Sequence, residues 1–198
     1  LLVARDSSST ALEVVRCQKD PLFGKVPPHV TLVFPRPASQ IPEDIFTRIP
    51  CGDLPALTNL EFVDIQLSHD NYLWLVPSNE SSKRLDTWHR TLMTTLGAQL
   101  TPYSPHLTLG RNASTEDVAF AKASVATPLS LQFDSVMLEE FGDDDISVPL
   151  AQISTKALIE TDRLFLRPWD HFDAAALVEL SQRPGMTDFS SGAYQDMD

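Results

Sequence analysis

Cysteine is scarce. The 198 residues hold two, Cys17 and Cys51, far apart and outside any C-x-x-C pattern. A disulfide framework and a cysteine-rich metal site are therefore not expected, and a reducing cytoplasm is the expected compartment. Long apolar runs are missing as well. None approaches the roughly 20 residues a membrane helix needs, and the opening Leu1–Ala4 is soon broken by Arg5 and Asp6. Neither a membrane span nor a signal peptide is expected, although the sequence opens on Leu1 rather than Met and so leaves a leader upstream open. Basic residues are few, with 15 Lys and Arg against 27 Asp and Glu for a net charge of −12. The deficit is spread out, because residues 1–150 carry 11 basic and 19 acidic side chains and residues 151–198 carry 4 and 8. Long nucleic acids are bound through clustered Lys and Arg on their phosphates, so a duplex is not an expected partner. A small nucleotide or a single RNA terminus remains compatible with this balance.

What is present is an ordinary folding sequence, 42% hydrophobic and 21% charged, long enough for one domain plus a fragment. A strand is expected over Leu1–Ala4, then a helix from Ser9 or Thr10, where Thr10 and Glu13 have capping-box spacing, to just before Asp20-Pro21. Residues 25–35, β-branched and apolar between prolines, read as a strand with fixed ends. A short helix is expected from Pro42, with Ile41, Ile45, Phe46 and Ile49 on one face. Leu57–Leu67 and Tyr72–Val76 read as a hairpin around the polar turn at 68–71. Leu85, Trp88, Leu92 and Leu96 then mark a helix that starts near Ser78 and stops at Gly97. Residues 102–111 read as a second proline-bounded strand, Thr115 opens a further helix, and Leu129–Phe141 and Ile146–Ile153 are the closing strands around an Asp143–Asp145 turn. Strands and helices are mixed, so the expected fold class is α+β.

Two short segments carry the chemistry. Side chains two apart on a strand share a face, so His29 and Thr31 project together, as do His106 and Thr108. A single His-x-Thr is common, because Thr is a good strand former. On expected strands it occurs twice, each time after a proline and each time continuing as Thr-Leu, in corresponding parts of an apparent internal repeat. Two imidazoles and two hydroxyls facing one space form a site of phosphate size. Arg111 directly follows the second motif and is a candidate further contact to phosphate. Tyr103, Phe34, Tyr72 and Trp74 are candidate base-stacking aromatics, for which a core position is the plainer reading. His69, His89 and His171 lack an equivalent threonine partner on an expected strand, since Thr91 follows His89 within the helix expected from Ser78, and all three read as structural or solvated, with Lys25 as a loop charge. No His, Cys, Asp and Glu cluster has metal-ligand spacing, so neither a metal nor another cofactor is expected.

The segments Pro28-His-Val-Thr-Leu-Val-Phe-Pro35 and Tyr103-Ser-Pro-His-Leu-Thr-Leu-Gly-Arg111 resemble the paired H-x-T motifs of the two-histidine phosphoesterase superfamily. Arg16–Pro21 and Tyr72–Pro77 resemble its bacterial RNA ligase or cyclic phosphodiesterase-like branch. The resemblance covers residues 1 to about 150. It implies two pseudo-symmetric halves with helices outside and antiparallel sheets forming a central cleft, in which phosphate binds without a metal and His29 and His106 act as acid and base in either order. Thr31, Thr108, Arg111 and Tyr103 would then contact the substrate in a monomeric enzyme that acts on a 2′,3′-cyclic phosphate or related phosphodiester. A non-catalytic module holding a nucleotide or RNA end is the alternative.

Residues 160–180 read as a strand and a capped helix, and resemble the start of a GNAT-type N-acetyltransferase. No glycine-rich loop follows to hold a pyrophosphate. The expected division is therefore a phosphoesterase domain over 1–155 and a truncated GNAT-like segment over 156–198, a remnant of a fusion without acetyltransferase activity.

Overall fold

The computed structural model describes residues 1–4, 6–42, 45, 57, 59–141, 147–154, 159–160, 165–166 and 174–183. Its chain runs β1 (Leu2–Ala4), α1 (Asp6–Lys19), β2 (His29–Val30), a 3-10 turn (Ala38–Gln40), β3 (Asn59–Leu67), β4 (Leu73–Pro77) and α2 (Asn79–Thr95). It continues through β5 (Leu107–Gly110), α3 (Thr115–Ser124), β6 (Leu129–Phe141), β7 (Ser147–Ser154), β8 (Ile159–Glu160), β9 (Phe165–Leu166) and α4 (Ala174–Ser181). The class is α+β, as expected.

Seven strands form one sheet in the order β1-β2-β5-β4-β3-β6-β7, and β1 pairs with β6 as well. The pairings therefore return on themselves through six strands, giving a barrel-like closure in which every ladder is antiparallel. Alternation along these strands decides which side chains form the core. Val30, Leu73, Leu75, Leu107 and Leu109 are fully buried, with Leu12 and Val15 of α1 and Leu85 of α2 in the same cluster. Each such leucine contributes about 1.5–3 kcal/mol by leaving water. The residues between them on the strands are thereby committed to the opposite face.

Local signals explain most helix ends. The Ser78 hydroxyl accepts the Ser81 amide at 3.3 Å at the start of α2. At its other end Gly97, with φ +63°, lets its own amide reach Thr94 and that of Ala98 reach Met93. In α3 the cap is Ser114, which exchanges bonds with Asp117 in a capping box. In α1 the expectation is corrected: the helix starts at Asp6, so Thr10 and Glu13 lie inside it and do not cap it. The first motif strand is also much shorter than its apolar run, because the flanking prolines donate no ladder hydrogen bonds and only His29 and Val30 pair. The helix expected from Pro42 and the Asp143–Asp145 turn lie largely outside the described residues.

The buried end of α1 shapes the approach to the first motif. The Arg16 side chain, 3% exposed, bonds Asp20 at 2.8 and 3.0 Å and donates to the Val26 carbonyl at 2.7 Å. The Asp20 carboxylate also accepts the Leu22 amide at 3.0 Å. A buried charge is tolerable only with such pairing, and this one fixes the loop that delivers Pro27 and His29. In the tail, β8 and β9 form a separate two-stranded ladder ahead of α4, and the rest of 160–180, His171 included, lies outside the described residues.

Candidate active site

Strands β2 and β5 are neighbours, with Val30 opposite Leu107. One step along this antiparallel register, His29 comes to face Thr108, and one step the other way Thr31 comes to face His106. Only Val30 and Leu107 form a ladder pair, and the continuation of their register by one residue on each side directs each imidazole toward the hydroxyl of the other half. The two sequence motifs thus meet on one face of adjacent strands.

Both imidazoles are oriented by the same device. His29 Nδ1 lies 2.8 Å from the Pro27 carbonyl and His106 Nδ1 lies 2.8 Å from the Ser104 carbonyl, two residues back in each case. A carbonyl only accepts, so Nδ1 carries the proton and Nε2 holds the lone pair in the neutral rings. Burial pushes the His29 pKa down from 6.5 to about 4, against the raising effect of the Pro27 bond, with the N-terminus and Arg16 lowering it further and Asp20 raising it. His106 is also lowered by burial, with the Ser104 bond opposing. Its ring stacks on Trp74 of β4, centroids 4.0 Å apart and planes 16° from parallel.

Trp74 stands opposite Thr108, which puts the indole on the site face. Beyond that pair the ladder slips: Leu73 faces Gly110, so β5 carries an extra residue there. Leu109 and Gly110 both turn toward the core and Arg111 returns to the site face, where its guanidinium lies 5.7 Å from the Tyr72 ring centre. Regular alternation would have sent Arg111 inward. Glycine is required at 110 because an added Cβ would sit 2.8 Å from Lys19 Cβ and 2.9 Å from the Lys19 carbonyl oxygen, where the end of α1 accepts the Arg111 amide at 3.0 Å. Arg111 Nε and Trp74 Nε1 are buried without hydrogen-bond partners. Both are donors, one of them on the ring stacked against His106, and a buried donor without a partner at this place suits an anion.

Of the other candidates, Tyr103 donates its hydroxyl to the Thr31 carbonyl at 3.0 Å and stacks on His89, so its polar end and one ring face are engaged within the protein. His89 is buried in α2 and bonds the Leu32 carbonyl. His69 is exposed beside Asp70, Lys25 is exposed, and Phe34 is half exposed. The sequence reading left Trp74 and Tyr72 between core and base-stacking roles, and the alternation of Tyr72 and Trp74 with buried Leu73 and Leu75 was the signal that decides it. No group of three or more His, Cys, Asp or Glu with metal-binding geometry occurs among the described residues.

A family model, the 2'-5' RNA ligase superfamily, matches residues 4–145. The chain belongs to this superfamily. Its match includes both histidine motifs. No curated protein matches. Among solved structures, one described as a phosphoesterase is 17% identical, covers 77% of this chain and 94% of its own, and has a TM-score of 0.48. E. coli LigT complexed with 3'-AMP is 16% identical over 77% and 94%, with a TM-score of 0.49. The same protein complexed with NADP+ is 17% identical over 77% and 93%, at 0.48. No described helix is long and apolar enough to cross a membrane.

Proposed function

We propose that this member of the superfamily is a metal-independent cyclic phosphodiesterase that opens a 2′,3′-cyclic phosphate on a nucleotide or RNA terminus. The observation that carries the reading is the cross-facing arrangement of the two motifs, each imidazole tethered through Nδ1 so that Nε2 is the reactive atom. His29, the less basic ring, takes a proton from water at Nε2 as the water oxygen attacks phosphorus in line. His106, whose cation is favoured by the Trp74 face, gives its Nε2 proton to the departing ribose oxygen as that phosphorus–oxygen bond breaks. The product is a ribose phosphomonoester with one free hydroxyl, and solvent restores both rings. Thr31, Thr108 and Arg111 donate to the non-bridging oxygens, where charge gathers in the transition state. A bound phosphate anion raises the proton affinity of His106, offsetting its burial.

Phosphorus NMR of the full chain with 2′,3′-cyclic nucleotides, in the presence of a chelator, tests this directly. The expected result is conversion to a single phosphomonoester with unchanged rate under chelation, and kcat/KM that is greatest between the His29 pKa near 4 and the His106 pKa, which burial holds below its ordinary 6.5. The rate should rise through the His29 pKa near 4 and fall through that of His106. Binding of the cyclic phosphate with no turnover would instead identify a nucleotide-binding module. The same proposal places the phosphoesterase domain in residues 1–155, since the seven-stranded sheet ends with β7 at Ser154, in a reducing cytoplasm. It leaves 156–198 as a GNAT-like segment of separate origin.

A further inference from the structure

Two rings outside the reacting pair converge on the backbone of the first motif. His89, 2% exposed on α2, has Nδ1 at 2.8 Å from the Leu32 carbonyl. Tyr103, in the segment leading to β5, donates its hydroxyl to the neighbouring Thr31 carbonyl at 3.0 Å. The rings stack on each other with centroids 4.2 Å apart and planes 9° from parallel. Consecutive carbonyls immediately after the two-residue strand β2 are therefore held by one stacked pair, at the place where the sheet ladder no longer holds them. Tyr103 also adjoins Ser104, whose carbonyl orients the His106 ring.

We propose that His89 and Tyr103 form a positioning clamp that locks the two histidine motifs to each other, so that Thr31 and His106 keep one common geometry toward phosphate. The argument rests on the reading of the site as a two-histidine phosphodiesterase. Within it, neither ring touches substrate. Tyr103 acts through the carbonyl of Thr31 on one side and through the course of residues 103–106 on the other, and His89 holds Tyr103 flat against the motif. A histidine suits position 89 because an N–H at the Nδ1 position satisfies a buried carbonyl while the flat ring face supports Tyr103, a combination that neither leucine nor phenylalanine supplies.

The test compares Tyr103→Phe, His89→Leu and His89→Asn in the full chain, with 2′,3′-cyclic AMP as the probe and nitrogen-15 NMR of the histidine rings as a second readout. Tyr103→Phe removes only the hydroxyl, and it is expected to lower kcat about ten- to a hundredfold, the scale of an ångström-level misplacement, with KM changed less than about twofold. In the NMR spectra both the His29 and His106 ring signals should move. His89→Leu should do the same, whereas His89→Asn, which keeps a donor at the Nδ1 position but not the ring face, should recover part of kcat and bring both signals partway back toward wild type. Ring signals that stay put in Tyr103→Phe, or a shift confined to one histidine, overturn the clamp. If wild-type protein does not turn over the probe, the phosphodiesterase reading fails by itself, and the ring signals still decide whether the motifs are coupled. Should Tyr103→Phe not fold, His89→Leu against His89→Asn decides by the same signals.

Discussion

The two motifs are near copies in sequence and in local geometry, yet they sit in different surroundings. His29 emerges from a loop pinned by the buried Arg16–Asp20 pair, on a two-residue strand steadied by His89 and Tyr103. His106 leads into a regular strand, stacks on Trp74, and is followed by the bulge that returns Arg111 to its side. The comparison teaches that the same tether, Nδ1 to the carbonyl two residues back, sets ring orientation in both copies, while proton affinity is set by what packs around the ring. Burial takes His29, part-buried at the surface of the site, down to about 4. His106 shares the direction of that shift but has an aromatic face on which a cation is stabilised.

The bluntest way to break the comparison is to remove either ring. His29→Ala and His106→Ala should each lower kcat by about 10²–10⁴, the contribution of a positioned acid or base, while circular dichroism and the unfolding midpoint stay near wild type. Turnover within a few-fold of wild type in either variant would remove that histidine from the mechanism. Next comes a change that should injure only the first motif. Arg16→Ala leaves Asp20 buried without its partner and frees the Val26 carbonyl, for an expected loss of about 3–5 kcal/mol in stability measured by urea unfolding. A loss under about 1 kcal/mol would show that the loop before His29 does not depend on the pair. The smallest effect sharpens the contrast. Trp74→Leu withdraws the stacked face, so the alkaline limb of kcat/KM should move to lower pH by about 0.4–0.7 unit, given about 0.5–1 kcal/mol for such a contact. The acid limb near pH 4 should not move, and equal displacement of both limbs would contradict separate roles for the rings.

Stability should show the same asymmetry. His29 has a folded-state pKa below its ordinary 6.5, so the unfolded chain binds more protons between about 4 and 6.5. Its contribution is fully present above 6.5 and is lost progressively as pH falls through that window. His29→Gln should flatten this part of the stability profile, as followed by thermal unfolding.

How far each element was legible depended on where its determinants lie. Helix α2 follows from its own residues: Ser78 caps it, apolar spacing gives its buried face, and Gly97 supplies the left-handed turn that ends it. Strand β6 likewise spans Leu129–Phe141, as its apolar run indicates. By contrast, Thr10–Glu13 has capping spacing but lies inside a helix that starts at Asp6. The run around the first motif reads as a long strand, yet prolines at 27, 28 and 35 leave little of it able to pair. His89 is followed by Thr91 at the same spacing but lies in a helix, where residues two apart do not share a face, and its place is set by the carbonyl it meets from 57 residues earlier in the chain.

Sequence by itself determined the mixed α and β class, the two His-x-Thr pairs and the common face of each, because strand periodicity is a local property of the chain. Tertiary structure alone decided that β2 and β5 are neighbours, in a register that sets each imidazole against the other half's hydroxyl. It also decided that a single extra residue beside Gly110 returns Arg111 to that face. The physical reason is that register and bulges are set by what the opposite face of the sheet must bury, here Leu107 and Leu109 beneath the end of α1.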